Sequence, residues 1–250
     1  MSVKTRLVVA NWKNNGTLAD AHVLALGVRN ATEHFANISV VLCPPLLWLS
    51  EVRGIISADM KHLALGVQDL SSQPVGAHTG EVAAELVATL AQYAIIGHSE
   101  WLREHNPTLE QLHDKLHAAL ANRLTPIICV GEESQSSTSK NQLKRRLESL
   151  LRYASPAQRS KCVIAYEPVW AISQGPHQAV RAATPQYVAE VVAALRTAVP
   201  STTRVLYGGS VSAKNAAEFV TAPGVDGVLV GGASLLLREF TTLVKNVALA

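Results

Sequence analysis

Val163-Ile164-Ala165-Tyr166-Glu167-Pro168-Val169-Trp170 is an apolar, strand-like run that ends on a carboxylate, directly before a proline and an aromatic loop. Glutamate is depleted in strands and its charge costs free energy on leaving water, so its presence here needs a reason. Pro168 restricts Glu167 to an extended conformation and ends the ladder, which predicts a carboxylate facing whatever lies above the strand. The run from Cys162 to Glu167 has seven counterparts: Leu7 to Asn11, Ile38 to Cys43, Leu63 to Gln68, Tyr93 to Gly97, Pro126 to Gly131, Arg204 to Gly208 and Gly227 to Gly231. Segments of helical period separate them. Leu109, Leu112, Leu116, Ala119 and Leu120 share one helix face, and Pro185 to Val199 follows an N-cap candidate, Thr184. Near-continuous Val/Ile/Leu strands joined by crossover helices imply a parallel sheet covered on its outside. Eight such units in 250 residues predict an α/β protein, a closed (β/α)8 barrel forming one domain over residues 1–250, with a doubly wound open sheet as the other candidate.

Composition narrows the function classes. With 48% hydrophobic and 16% charged residues the chain can bury a large core, and disorder is not expected. A formal charge of +3, with no basic run longer than Lys144-Arg145-Arg146, gives no indication of nucleic acid or an anionic membrane as partner. Cys43, Cys129 and Cys162 lie far apart, so neither a disulfide framework nor a zinc spacing is predicted. The chain enters Leu7-Val8-Val9-Ala10 without a signal-peptide pattern, and no apolar stretch reaches the length of a membrane span, which predicts a cytoplasmic protein. Ser134 to Ser139 is Ser-rich but short, and reads as a loop entering a helix.

In a barrel of this kind, chemistry sits at the carboxyl ends of the strands. Asn11 and Lys13 follow the first run, Gln68 the third, His98 and Glu100 the fourth, Glu132 the fifth and Glu167 the sixth. Gly208-Gly209-Ser210 follows the seventh and Gly231-Gly232 the eighth. Of the nine histidines only His98 falls at such an end, while His113 and His117 have helical i, i+4 spacing and, lacking a third ligand, read as a surface pair. The two glycine pairs would let successive backbone amides approach an anion closely. Ser99-Glu100 after His98 starts a short helix whose amide end would disfavour an imidazolium.

Six segments, in order and across the whole chain, resemble the triosephosphate isomerase family. They are Ala10-Asn11-Trp12-Lys13, Gly97-His98-Ser99-Glu100, Cys129-Val130-Gly131-Glu132, Ala165 to Ile172, Tyr207-Gly208-Gly209-Ser210-Val211 and Asp226 to Leu235. The resemblance implies a cofactor-independent, metal-free isomerase of a small sugar phosphate. It assigns Glu167 as the base that removes a carbon-bound proton and His98 as the neutral electrophile at the substrate oxygens. Lys13 becomes a fixed positive charge oriented by Asn11, and Glu100 a supporting carboxylate near Lys13. Ser173, Ser210, Gly231 and Gly232 become phosphate ligands, and Pro168 to Ile172 the stem of a lid. The segment Gly76-Ala77-His78-Thr79-Gly80-Glu81 resembles the loop that docks into a partner subunit, so a homodimer through residues 69–83 is expected, with Thr79 near the partner's site.

Three departures from the family pattern are visible. The lid continues Ser173-Gln174-Gly175-Pro176-His177 and reaches Thr184-Pro185 late, Trp101-Leu102 stand where two arginines are usual, and Asn14 replaces a methionine. The first expectation is interconversion of glyceraldehyde 3-phosphate and dihydroxyacetone phosphate through an enediolate. The altered lid leaves open a four-carbon substrate such as erythrulose phosphate, and a catalytically inactive phosphate-binding barrel is the alternative outside enzymology. A metal-dependent epimerase lacks the second strand-end histidine that a metal site would need.

Overall fold

The computed structural model describes residues 5–57, 61–136, 138–172 and 182–250. Among these residues, eight parallel strands follow one another around a closed barrel: β1 (Arg6–Asn11), β2 (Ile38–Cys43), β3 (Leu63–Val67), β4 (Tyr93–Ile96), β5 (Thr125–Val130), β6 (Val163–Tyr166), β7 (Arg204–Tyr207) and β8 (Gly227–Val230). Closure comes from β1 pairing with both β2 and β8, in the register Leu7↔Gly227 to Ala10↔Val230. Gly227 permits that approach, because a Cβ there would sit 1.8 Å from the Leu7 carbonyl oxygen. The open-sheet alternative is thereby excluded.

Alternation along each strand divides the apolar residues between two environments. Leu7, Val9, Val41, Ile127, Val163 and Leu229 belong to a cluster inside the barrel. Their neighbours Val8, Ala10, Val40, Ile128, Ile164 and Val228 pack outward into a second, larger cluster with the helices. Fully burying a Val, Leu or Ile side chain contributes roughly 1.5–3 kcal/mol, and here both faces of the sheet gain it. Each run therefore reads as continuous hydrophobicity with no polar face.

The covering helices are α1 (Leu18–Thr32), α2 (Leu49–Ile56), α5 (Leu109–Ala121), α6 (Ser139–Leu150), α8 (Pro185–Arg196), α9 (Ala216–Thr221) and α10 (Leu237–Leu249). Their starts follow from side chains. Thr108 caps α5 in a reciprocal box with Gln111, and Thr184 accepts from the Tyr187 amide at 3.2 Å while Pro185 takes the first helical position of α8. That helix stops at Arg196, three residues before the expected Val199, because Pro200 disfavours helical backbone just ahead of it. The short helices α3 (Ala84–Ala88), α4 (Ser99–His105) and α7 (Pro156–Arg159) are additional. Of these only the start of α4 was legible, since the others are too short to show a period.

Strand ends also shift slightly from the sequence reading. Gln68, Gly97, Gly131, Glu167, Gly208 and Gly231 each lie one residue beyond a strand, and of the polar groups at these ends only Asn11 is within one. This places them on the rim, where backbone is free to turn toward a ligand. Residues 73–81 are exposed on a projecting loop pinned at its base by the Ser71 amide on the Val82 carbonyl at 2.9 Å. No helix among the described residues is long and apolar enough to cross a membrane.

Candidate active site

Glu167 follows β6 with its amide donated to the Val130 carbonyl at 2.8 Å, so its backbone is held against the end of β5. Gly131 makes this possible: a Cβ at that position would lie 1.7 Å from the Glu167 carbonyl oxygen. The side chain is 2% exposed, and among the described residues neither carboxylate oxygen has a hydrogen-bond partner of good geometry. Burial pushes its pKa above the usual carboxylate range. His98 opposes this most strongly, followed by the Cys129 thiol, the Ser99 backbone and Lys13.

His98 is the N-cap of α4, and its Nδ1 accepts from the Glu100 amide at 3.2 Å. A ring nitrogen that accepts cannot carry a proton, so the neutral tautomer has its N–H on Nε2. That nitrogen points at the carboxylate, 3.3 Å from Glu167 Oε1 but outside hydrogen-bond geometry. The expected amide end of a helix is present, and it acts through one direct hydrogen bond that selects the tautomer.

Lys13 adopts a positive φ of 53°, unusual for a side-chain-bearing residue. Three contacts offset the strain. Its amide donates to Asn11 Oδ1 at 3.0 Å, its carbonyl accepts from Gln68 Nε2 at 2.8 Å, and its ammonium is paired with Glu100 Oε1. Asn11 therefore orients Lys13 through the main chain, and Gln68 is a supporting residue whose role the sequence did not reveal. The lysine stem lies over Gly231, where a Cβ would come within 3.1 Å of Lys13 Cε.

These groups meet in one cavity of about 150 Å³, lined by Asn11, Lys13, His98, Glu167, Ile172, the Gly208–Val211 turn and Gly231 to Ala233. A second space of about 600 Å³ shares Glu167 and Ile172 with it. Gly232 opens the short 3-10 turn Gly232–Leu235, and a Cβ there would meet nothing within 4 Å. Ser210 reaches the same cavity, but its amide is already donated to the Ala171 carbonyl at 2.9 Å, which leaves the hydroxyl for a ligand unless the lid stem shifts. Ser173, the fourth expected phosphate ligand, lies outside the described residues, as do Gln174, Gly175, Pro176 and His177. Thr79, exposed on its projecting loop, is not brought to the cavity of its own chain.

The departures also acquire locations. Trp101 stacks on His105 with ring centroids 4.6 Å apart and carries the Lys115 ammonium 4.4 Å above its ring. Lys115 in turn bonds both oxygens of Asp69, at 2.9 and 2.7 Å. A positive charge from α5 thus lies over Trp101, one of the two residues that stand where the resemblance leads one to expect arginines. Leu102 lines a separate space behind Glu167, and Asn14 lines the depression beside Lys13 that also holds Trp101. His113 is half-buried and bonded to the Ser149 carbonyl at 2.7 Å, while His117 is exposed in the same surface depression. Among the described residues no three His, Cys, Asp or Glu side chains gather as a metal site.

A buried carboxylate facing an imidazole of fixed tautomer, beside an ammonium at the carboxyl end of a parallel barrel, defines a (β/α)8 barrel equipped for proton transfer. The sequence profile of the triosephosphate isomerase family matches residues 6–247. The chain is 37% identical to the triosephosphate isomerase of Paracidovorax citrulli, covering 98% of this chain and 99% of the relative. It is 39% identical to those of Leifsonia xyli subsp. xyli, covering 96% of each, and Bordetella pertussis, covering 95% of each. The chain belongs to the triosephosphate isomerase family.

Proposed function

We propose that this protein is a triose-phosphate isomerase, interconverting glyceraldehyde 3-phosphate and dihydroxyacetone phosphate by proton transfer through an enediolate. The observation that carries the reading is the convergence of Glu167, His98, Lys13 and Asn11 on one small cavity that also receives both glycine turns. Relatives named triosephosphate isomerase over nearly the full length of both chains support the triose over a four-carbon sugar. An inactive phosphate-binding barrel gains no support from a site that retains a buried carboxylate facing an imidazole at 3.3 Å, because burying such a group costs stability unless the chemistry uses it.

In this reading Glu167 removes the carbon-bound proton of bound substrate, and its raised pKa brings its basicity closer to what that proton requires. His98, donating from Nε2, hydrogen-bonds the substrate oxygens where negative charge develops. Lys13 supplies a fixed positive charge to the enediolate and the phosphate, and Glu100 holds its ammonium in place. Gly231, Gly232 and Ser210 bind the phosphate, with Ser173 joining from the lid. The lid excludes water from an intermediate that would otherwise eliminate phosphate; this family is itself a standard example of such closure.

The deciding experiment measures kcat/KM on triose and tetrulose phosphates for the parent and for Glu167→Asp. Shortening the base by one methylene should lower kcat by about two to four orders of magnitude, since proton abstraction depends on placement. A hundredfold preference for the tetrulose phosphate would overturn the triose assignment.

A homodimer built through residues 69–83 belongs to the same proposal. In its favour are the exposed tip around Thr79, exposed Leu46, Leu47 and Val75, and a depression of about 460 Å³ beside Lys13 lined by Asn14, Pro45 and Trp101. Sedimentation velocity should give twice the chain mass, and shortening the 73–80 tip should yield monomers of low activity. The three free, buried cysteines are in keeping with a reducing, cytoplasmic compartment.

A further inference from the structure

One oxygen of Glu132 receives three donors: the Tyr166 hydroxyl at 2.8 Å, the Trp170 indole N–H at 2.9 Å and the Tyr187 hydroxyl at 3.1 Å. Its other oxygen is buried with no hydrogen-bond partner among the described residues. The Glu132 carbonyl also accepts the Val169 amide at 2.9 Å. This residue at the end of β5 therefore ties down the segment that leaves Glu167. Tyr166 belongs to the barrel and Trp170 to the segment being held, so Tyr187, on the first turn of α8, is the one donor that comes from outside both. Its ring also packs edge-on against Trp170, with centroids 6.0 Å apart.

We infer that Tyr187 is a positioning residue: its hydroxyl fixes the Glu132 carboxylate in the orientation that receives the Trp170 indole, and through Trp170 it holds the Pro168–Ala171 segment beside Glu167. The terminal torsion of a glutamate is broad, so a carboxylate with one bare oxygen turns readily unless its donors hold it. Removing the α8 donor leaves two, one from the barrel and one from the segment being held, and frees that rotation. Burial, then the Glu132 charge, push the Tyr187 phenol up to about 12, so it remains a donor across neutral pH. The inference rests on the proton-transfer reading only for its catalytic consequence.

The test is Tyr187→Phe, which keeps the ring contact and removes only the hydroxyl. Indole N–H resonances of ¹⁵N-labelled protein are compared, with Trp170 assigned by the signal lost in Trp170→Phe. In Tyr187→Phe the Trp170 indole proton should exchange with solvent about tenfold faster. On triose phosphate, kcat should fall three- to tenfold with KM changed less than twofold. Added to Trp170→Phe, the tyrosine change should have no further effect on kcat, because both act through one contact. Unchanged indole exchange, or a kcat loss that persists in the Trp170→Phe background, overturns the proposal. An inactive parent would instead sink the isomerase reading, and the exchange comparison would still decide whether Tyr187 tethers Trp170.

Discussion

A Cβ on Gly208 would lie 2.8 Å from Cγ of Glu167 and 3.4 Å from its Oε1, so the turn after β7 is the wall against which this carboxylate rests. Glycine is required here for space, with no demand for a left-handed backbone. Gly208→Ala should displace the carboxylate by several tenths of an ångström while leaving the fold intact. Because misplacement by about 1 Å can cost a hundredfold in rate, kcat should fall ten- to a hundredfold with a small change in melting temperature. Full activity in the alanine variant would mean that the base does not lean on this turn.

As the proposed base, Glu167 must be ionised to act, and burial holds its pKa above the ordinary carboxylate range. The acid limb of kcat/KM should therefore lie higher than for a solvated glutamate, and Glu167→Asp should retain an acid limb while Glu167→Gln loses activity altogether. A profile that stays flat down to the ordinary carboxylate range would contradict the assignment.

The same shift has a stability consequence of opposite sense to a salt-bridged carboxylate. A carboxyl group whose folded pKa is raised favours the folded state when protonated. Its contribution is present below the unfolded pKa and is lost as pH rises through the folded pKa. Glu167→Gln removes that loss. Thermal melts should show the variant gaining on the parent at pH 7–8 and approaching it near pH 4; a gain independent of pH would point to packing instead.

Asn11 holds the amide of a residue with positive φ. Asn11→Ala leaves the Lys13 amide without that acceptor, at a cost of about 1–3 kcal/mol, and frees the lysine loop. Lower thermal stability with a ten- to hundredfold loss of kcat/KM is expected. Lys13→Met, which keeps the stem over Gly231 but removes the charge, should lower kcat/KM by a further order of magnitude or more and abolish most of its salt dependence.

The barrel was legible because eight apolar runs repeat at helical intervals, and a parallel sheet dry on both faces leaves that signature whatever its side-chain details. The site was legible as a set of polar residues at the ends of those runs, and Glu167, His98, Lys13 and Asn11 do share one cavity. Those residues are read from sequence because each interrupts a pattern: a glutamate or histidine ending a buried strand has no structural excuse. Gln68 and Glu132 also interrupt the pattern, yet their roles depend on partners 38 to 55 positions away: Gln68 with Lys13, and Glu132 with Trp170 and Tyr187. Nothing local encodes such a distance.

Local residue types and their spacing determined that this chain forms strands, helices and reactive strand ends, since periodicity, capping and turn chemistry act over a few neighbouring residues. Tertiary structure alone decided the burial that raises the Glu167 pKa, the commitment of the Ser210 amide to Ala171 and the three donors on Glu132. Hydrogen-bond partners and desolvation are properties of groups brought together by barrel closure, and closure is a relation between β1 and β8, at opposite ends of the chain.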